Sequence, residues 1–136
     1  TPKLNKAIYI FGERILKDKI SNSEGDQKTA YILDLLKLWE ERSVNFSKIT
    51  PKGAYLAKAS QLKYDNRNLL GESNEILYAN FDSAYNSDVK TFTNPKSLYT
   101  YFSLMVGLSM FYQMHFYFYN DVQQADYIAS LMQHYQ

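Results

Sequence analysis

The chain contains no cysteine, and it has only five glycines and three prolines among 136 residues. The absence of cysteine excludes disulfide bonds and thiolate metal sites in this chain, although a cysteine-free chain is compatible with any redox compartment. Few glycines and prolines mean few tight turns, which favours a helical protein over a sandwich of short strands. A length of 136 residues fits a single domain that folds without cross-links.

Net charge is also nearly absent, because 15 basic and 14 acidic residues leave a formal charge of +1. A balanced chain lacks the electrostatic footprint of a nucleic-acid-binding protein, so we expect no nucleic-acid partner. The sequence starts with Thr1, and no basic region followed by an apolar segment comes after it. No signal peptide is therefore expected in this sequence, and we expect the chain to form part of a longer protein.

The three prolines occur in similar contexts, at Thr1-Pro2, Thr50-Pro51 and Asn94-Pro95. Proline suits the first position of a helix because its missing N–H would be unpaired there and its φ is already helical. Threonine or asparagine before it is typical of an N-cap. The three dipeptides therefore predict three helix starts.

These starts divide a single domain, residues 1–136, into blocks at roughly 1–46, 50–87 and 94–136. Each block has room for two helices, which predicts an all-α fold of three antiparallel helix hairpins with about six helices. Apolar residues recur at helical spacing in each block. The expected core residues are Leu4, Ile8, Phe11, Ile15, Ile32, Leu35, Leu36, Trp39, Phe46, Tyr55, Ala59, Leu62, Leu77, Phe81, Ala84 and Tyr85.

An uncharged stretch from Ser97 to Asn120 is long enough to span a membrane. Polar side chains are nevertheless distributed along it, among them Gln113, His115 and five tyrosine hydroxyls. Membrane helices place tyrosine at the interfaces, so we expect no membrane span and interpret the stretch as an inner helix of the fold.

The apolar face of that inner helix is expected to contain Leu98, Phe102, Val106 and Met110, broadened by Tyr101, Leu104, Leu108, Phe111 and Tyr112. Asn120-Asp121 is typical of the cap of a following helix. We therefore predict a turn between Gln113 and Tyr119, and a last helix whose apolar stripe contains Val122, Ala125, Ile128, Ala129 and Met132.

Four segments follow one another in a distinctive order: "YILDLLKLWEERSVNF", "GAYLAKASQLKY", "NEILYANFDSAY" and "NPKSLYTYFSLMVGLSMFY". This order resembles a tetratricopeptide-repeat-like family of helical proteins from Bacteroidetes. The resemblance implies hairpins stacked as an α-solenoid that binds another protein as a non-enzymatic scaffold. It also implies a location in the periplasm or in the outer-membrane-associated cell envelope, while the composition is equally compatible with the cytoplasm.

The chain departs from this family in its last block, where a Lys-x-Gly-Lys turn is usual and "QMHFYF" stands instead. The aromatic replacement is the least typical part of the chain. It makes five residues the candidates for partner binding: His115, Phe116, Tyr117, Phe118 and Tyr119.

Residues suited to catalysis are few, since His115 and His134 are the two histidines of the chain. No metal-binding spacing and no glycine-rich loop after a strand is present. Glu13 with Lys17 has the spacing of a solvated helical ion pair. We expect no catalytic residue, metal or cofactor. The alternative function is an aromatic-rich module that binds a glycan or another small ligand.

Overall fold

The computed structural model describes residues 5–134, and all regular secondary structure in that range is helical. The helices are α1 (Lys6–Ser21), α2 (Gly25–Asn45), α3 (Lys52–Asp65), α4 (Arg67–Leu70), α5 (Asn74–Ser87) and α6 (Pro95–His134). The prediction of an all-α chain is therefore confirmed for the described residues. The six helices are not the six that were expected, because α4 is a single turn between α3 and α5 and the last block is one helix.

Two of the three prolines stand at helix starts within the described range. Asn94 Oδ1 accepts a hydrogen bond from the Ser97 N–H at 3.1 Å, and α6 begins at Pro95. Pro51 is itself the cap residue of α3, which begins one residue later at Lys52. The remaining start, Thr1-Pro2, lies outside the described residues.

Each long helix packs against the next one along the chain: α1 on α2, α2 on α3, α3 on α5, and α5 on α6. The α1–α2 and α3–α5 pairs lie within the first two blocks of the sequence. The stripes expected for α2 and α5 face the core, as predicted. Their buried members are Ile32, Leu35 and Trp39 in α2, and Leu77, Phe81 and Ala84 in α5.

Small residues of α3 allow the α5–α6 loop and the start of α6 to pack closely against α3. The Gly53 N–H donates a hydrogen bond to Thr91 Oγ1 at 2.9 Å, and Thr91 Oγ1 donates to Asp88 Oδ2 at 2.6 Å. Ser97 of α6 is fully buried, and its hydroxyl donates to the Ala57 carbonyl oxygen at 3.0 Å. These bonds fix the α5–α6 loop and the start of α6 against α3.

Tyr101 anchors α6 on α5. Its ring centroid lies 5.8 Å from that of Tyr78, 6.4 Å from that of Phe81 and 5.5 Å from that of Tyr85. Its hydroxyl donates a hydrogen bond to Asp82 Oδ1 at 2.5 Å. Burial, reinforced by the acceptor carboxylate of Asp82, raises the pKa of Tyr101 well above its ordinary value.

The predicted turn between Gln113 and Tyr119 is wrong, and so is the third hairpin, because α6 is continuous from Pro95 to His134. No glycine or proline lies between Gln113 and Tyr119, so no residue there interrupts the helical hydrogen bonds. Asn120 would act as a cap only if the chain before it left the helix.

The face of α6 that was expected to enter the core is confirmed only in part. Tyr101 and Leu104 are buried as predicted, but Leu98, Phe102, Val106 and Met110 are exposed, and Ser97 and Thr100 are buried in their place. The buried face contains two small hydroxyl residues, which allow α6 to lie close to α3. Close approach and the Tyr101 contacts therefore decide the orientation of α6, and the more apolar face points outward.

α6 contains 40 residues and is roughly 60 Å long. Despite this length, none of the helices between residues 5 and 134 is apolar enough over a sufficient length to cross a membrane.

We predict that Gly53→Ala destabilises the fold by about 1–3 kcal/mol, because a Cβ there would overlap Thr91 Oγ1 and approach the Asp88 carbonyl oxygen to 2.5 Å. Gly107→Ala is the matched control, since a Cβ at Gly107 meets open space. It should stabilise α6 by up to about 1 kcal/mol. Urea unfolding followed by circular dichroism measures both, and equal effects of the two substitutions would contradict the close packing at Gly53.

We predict that Tyr101→Phe lowers the free energy of unfolding by about 1–2 kcal/mol at neutral pH, since Asp82 loses its buried donor. Tyr99→Phe, at a position 73% exposed on the same helix, should have little effect.

The loss of unfolding free energy caused by Tyr101→Phe should also depend on pH. Because the folded-state pKa of Tyr101 is raised above the unfolded value of 10.0, its contribution is complete below about pH 10 and is lost as the pH rises further. The difference in unfolding free energy between wild type and Tyr101→Phe should therefore shrink in urea titrations above about pH 10. A difference that stays constant with pH would contradict the assigned interaction.

Candidate functional site

The last part of α6 extends beyond the packed helices. Leu104 is the last buried residue of this helix among those described, and Leu108 is partly buried. From residue 109 to residue 134, every side chain is exposed except that of Asn120, which is partly exposed. We call residues 109–134 the projecting segment; at 1.5 Å per residue it is roughly 39 Å long.

The five candidate residues from the sequence, His115 to Tyr119, all lie in the projecting segment. Their side chains are exposed, and the apolar ones are 56–70% accessible. They do not form one surface, because consecutive helical residues point about 100° apart. His115 stacks on Phe111 with ring centroids 6.2 Å apart, which follows from the spacing of four residues. The structure therefore divides the candidates among different faces of one helix.

One face of α6 continues the contact surface of the fold into the projecting segment. Residues alternate at spacings of three and four from Tyr101 and Leu104, which are buried on the body, outward along the helix. We call this stripe the seam. Its outer members are Leu108, Phe111, His115, Phe118, Val122, Ala125, Ala129 and Met132. Sequence reasoning missed the seam because it placed a turn in the middle of the stripe, although the unbroken spacing was visible.

A groove opens where the seam leaves the body. It has a volume of about 530 Å³, and its α6 wall contains Leu104, Leu108 and Phe111. The opposite wall contains Tyr64, Arg67 and Glu75, among others, with the Arg67 guanidinium 4.4 Å from the centre of the Tyr64 ring. The groove is therefore apolar along α6 and polar along the body.

A second apolar face is exposed on α1, at the other end of the helix order. Ile8, Phe11 and Ile15 were expected in the core, but they are 63%, 58% and 55% exposed. Tyr9 is buried instead, because its side of α1 faces α2. Leu4, the remaining member of the predicted stripe, lies outside the described residues. Both the first and the last helix thus expose large apolar side chains to solvent.

Glu13 forms the most elaborate charged cluster of the described chain. Its carboxylate lies 2.7 Å from Lys17 Nζ, 3.4 Å from Arg42 Nη1 and 4.0 Å from Lys58 Nζ. Both lysines also stand over the Trp39 ring, 5.9 and 5.7 Å from its centre. Partial burial alone would raise the pKa of Glu13, but the bonded Lys17 and nearby Lys58 outweigh it and hold the pKa below its ordinary value.

The Glu13 cluster serves the fold, because its members come from α1, α2 and α3 and so join three helices. Glu13 and Lys17 were predicted as an isolated solvated pair, and the structure places them in this larger network. Within residues 5–134, no three side chains of the metal-binding types converge on one point.

Comparison of the chain with protein-family models, with characterised proteins and with solved structures gave no match. The function is therefore inferred from the surfaces of the chain itself. Of these, the projecting segment is the largest apolar one.

We predict that Glu13→Gln destabilises the fold by about 1–2 kcal/mol at pH 7, because three cations lose their shared carboxylate. Since the folded-state pKa is lowered, the contribution of Glu13 is present above the unfolded value of 4.5 and is lost as the pH falls below it. Chemical unfolding should show that Glu13→Gln lowers the free energy of unfolding more at pH 7 than at about pH 3. Glu41→Gln, at an exposed position of α2, is the control and should have little effect at either pH.

Proposed function

We propose that the chain is a non-enzymatic helical scaffold that binds a protein partner through the projecting segment of α6. The observation that carries the proposal is the exposure of large apolar side chains along this segment: Phe111, Tyr112, Met114, Phe116, Tyr117, Phe118 and Tyr119 are each 56–70% accessible. A contiguous apolar surface of this kind marks an interaction site in a folded protein. A helix that is apolar on all sides is normally surrounded by other protein.

The shape of the segment favours a protein partner over a glycan or small ligand. Small-ligand sites are concave, and their aromatic side chains converge around the ligand. The exposed rings of α6 instead diverge from a convex helix. Such a helix fits a groove or a helical face of another protein, which contacts side chains three and four residues apart on the helix.

The order of packing supports a helical-repeat arrangement of the tetratricopeptide-like kind. Each long helix contacts its neighbour along the chain, and α3 also contacts α6. A repeat array of this type has apolar end faces that a neighbouring repeat or a cap must cover. The exposed faces of α1 and α6 agree with such ends. A location in the bacterial cell envelope belongs to the same proposal and has its support in the resemblance of the chain to envelope proteins.

Photo-cross-linking in the cells that produce the protein tests this function. A benzophenone amino acid at Phe118 should give covalent adducts with protein, because this side chain is 70% exposed on the projecting segment. The same amino acid at Leu33, 56% exposed on α2 and outside both apolar faces, is the control. Adducts at Phe118 that are no more abundant than at Leu33 would contradict the proposed role of the segment.

A further inference from the structure

The seam has the spacing of a coiled coil. Its members occupy alternate intervals of three and four residues over more than three heptads, from Leu108 to Met132. Every one of these positions except His115 carries an apolar residue, which fits a helix that pairs with another helix along the stripe. The first members of the same stripe, Tyr101 and Leu104, already pack on the body. Two members of the stripe are thus buried on the body, Leu108 is partly buried, and the seven members from Phe111 to Met132 are exposed.

The sizes of the seam residues favour one direction of pairing. The large residues Phe111 and Phe118 lie in the first half of the free seam, and the small residues Ala125 and Ala129 lie in the second half. Two copies related by a twofold axis level with Asn120 place Phe111 of one copy opposite Ala129 of the other. Layers of similar total volume result, as a close-packed interface requires.

The same register gives further matched layers. Phe118 faces Val122, and His115 faces Ala125. A parallel pair would instead place Phe111 against Phe111 and Ala125 against Ala125, which crowds one layer and leaves a cavity in another. Antiparallel pairing therefore fits the seam and parallel pairing does not.

The flanks of the seam agree with this arrangement. Tyr112, Met114, Tyr119 and Ile128 border the seam and widen its apolar surface. Gln133 also borders the seam. The opposite, outer face carries both amide and apolar side chains: Gln113, Asn120, Gln123, Gln124, Met110, Phe116, Tyr117, Tyr127 and Leu131. Two carboxylates, those of Asp121 and Asp126, also border the seam. Asp121 meets its counterpart at the edge of the interface, where water and salt screen the repulsion.

The groove beside α6 lies opposite the turn of the second helix that contains Met132. In the antiparallel register Met132 of the second copy stands opposite Leu108, which lines the groove of about 530 Å³. This turn of the second helix would therefore occupy the groove, between α6 and the wall that contains Tyr64 and Arg67. By symmetry, both grooves of the pair are filled.

The available area is sufficient for a stable pair. Phe111 and Phe118 are 58% and 70% exposed, and the bordering Tyr112 and Tyr119 are both 56% exposed. With about 150–250 Å² for each aromatic side chain, these residues together with Met114, Val122, Ile128 and Met132 offer on the order of 800 Å² per copy. A standard interface buries about the same area on each partner.

We infer that the partner of the projecting segment is a second copy of this chain, packed antiparallel along the seam with the twofold axis level with Asn120. The inference rests on the proposed function of the projecting segment as a protein-binding surface, and it names the partner.

Disulfide cross-linking tests the inference directly, because the chain has no cysteine of its own. A mixture of Phe111→Cys and Ala129→Cys chains should form a disulfide-linked dimer under mild oxidation, at least about tenfold more than either variant alone. The antiparallel register brings these two positions together, and a disulfide requires Cα atoms within about 7 Å. A mixture of Phe116→Cys and Gln124→Cys is the matched control. These positions are equally placed about the axis but lie on the outer face, so little cross-linking is expected.

Sedimentation equilibrium of the unmodified chain supplies the second measurement. The wild type should be a dimer, and Phe118→Glu should weaken the dimer at least about 100-fold, as expected for a buried aromatic at the centre of an interface. Phe116→Glu on the outer face should leave the dimer largely intact. Circular dichroism checks that both variants remain helical, since neither position belongs to the packed core.

The outcomes separate this inference from the proposed function. Efficient linkage of Phe111→Cys with itself would overturn the antiparallel register, and a monomeric wild type without cross-links would overturn the dimer. A monomer whose benzophenone at Phe118 captures a different protein would overturn the dimer alone and leave the scaffold function standing. A monomer without any adduct would contradict both.

Discussion

The position of α6 depends on the contact between Tyr101 and α5. The Tyr101 ring packs among three aromatic residues of α5, and its hydroxyl reaches Asp82 at 2.5 Å. A buried hydroxyl needs a partner, because an unpaired polar group inside a protein carries the full cost of desolvation. The rotation of α6 about its axis is therefore fixed by one side chain that must satisfy both its ring and its hydroxyl. Every surface that α6 presents further along follows from this rotation.

Ser97, on the same buried face of α6 as Tyr101, fixes the distance between α6 and α3. Its hydroxyl donates to the Ala57 carbonyl oxygen of α3 in the fully buried part of the contact. A large apolar residue at this position would separate α6 from α3 by the width of a side chain. The fold thus buries a face of α6 with small residues and one tyrosine, and leaves Phe102, Val106 and Met110 exposed. Close backbone approach, together with paired hydroxyls, outweighs the burial of more apolar area here.

The sequence predicts some parts of this structure well and others poorly, for identifiable reasons. α2 and α5 each have one apolar face, so the periodicity alone identifies Ile32, Leu35, Leu77 and Phe81 as core residues. α1 has apolar residues on two faces, and α6 is apolar on nearly all faces between Tyr101 and Tyr119. Periodicity cannot choose among several apolar faces, because the choice depends on which neighbour lies close enough to contact. The expected turn failed for a different reason: Asn120-Asp121 was interpreted as the cap of a following helix, although no glycine or proline between Gln113 and Tyr119 interrupts the helix.

A second copy provides the burial that this assumed turn would have provided. In either arrangement, the apolar stripe that begins at Tyr101 is covered by an antiparallel helix, in one case from the same chain and in the other from its partner. Burial of the exposed aromatic surface of α6 is favourable, because this surface is otherwise in contact with water. The backbone of the segment is already helical, since α6 is continuous. Association with a second helix therefore costs little backbone conformational entropy, since the segment is helical before it binds. The continuity of the seam with the core contact of Tyr101 and Leu104 makes such a pair an extension of the packing that holds the fold together.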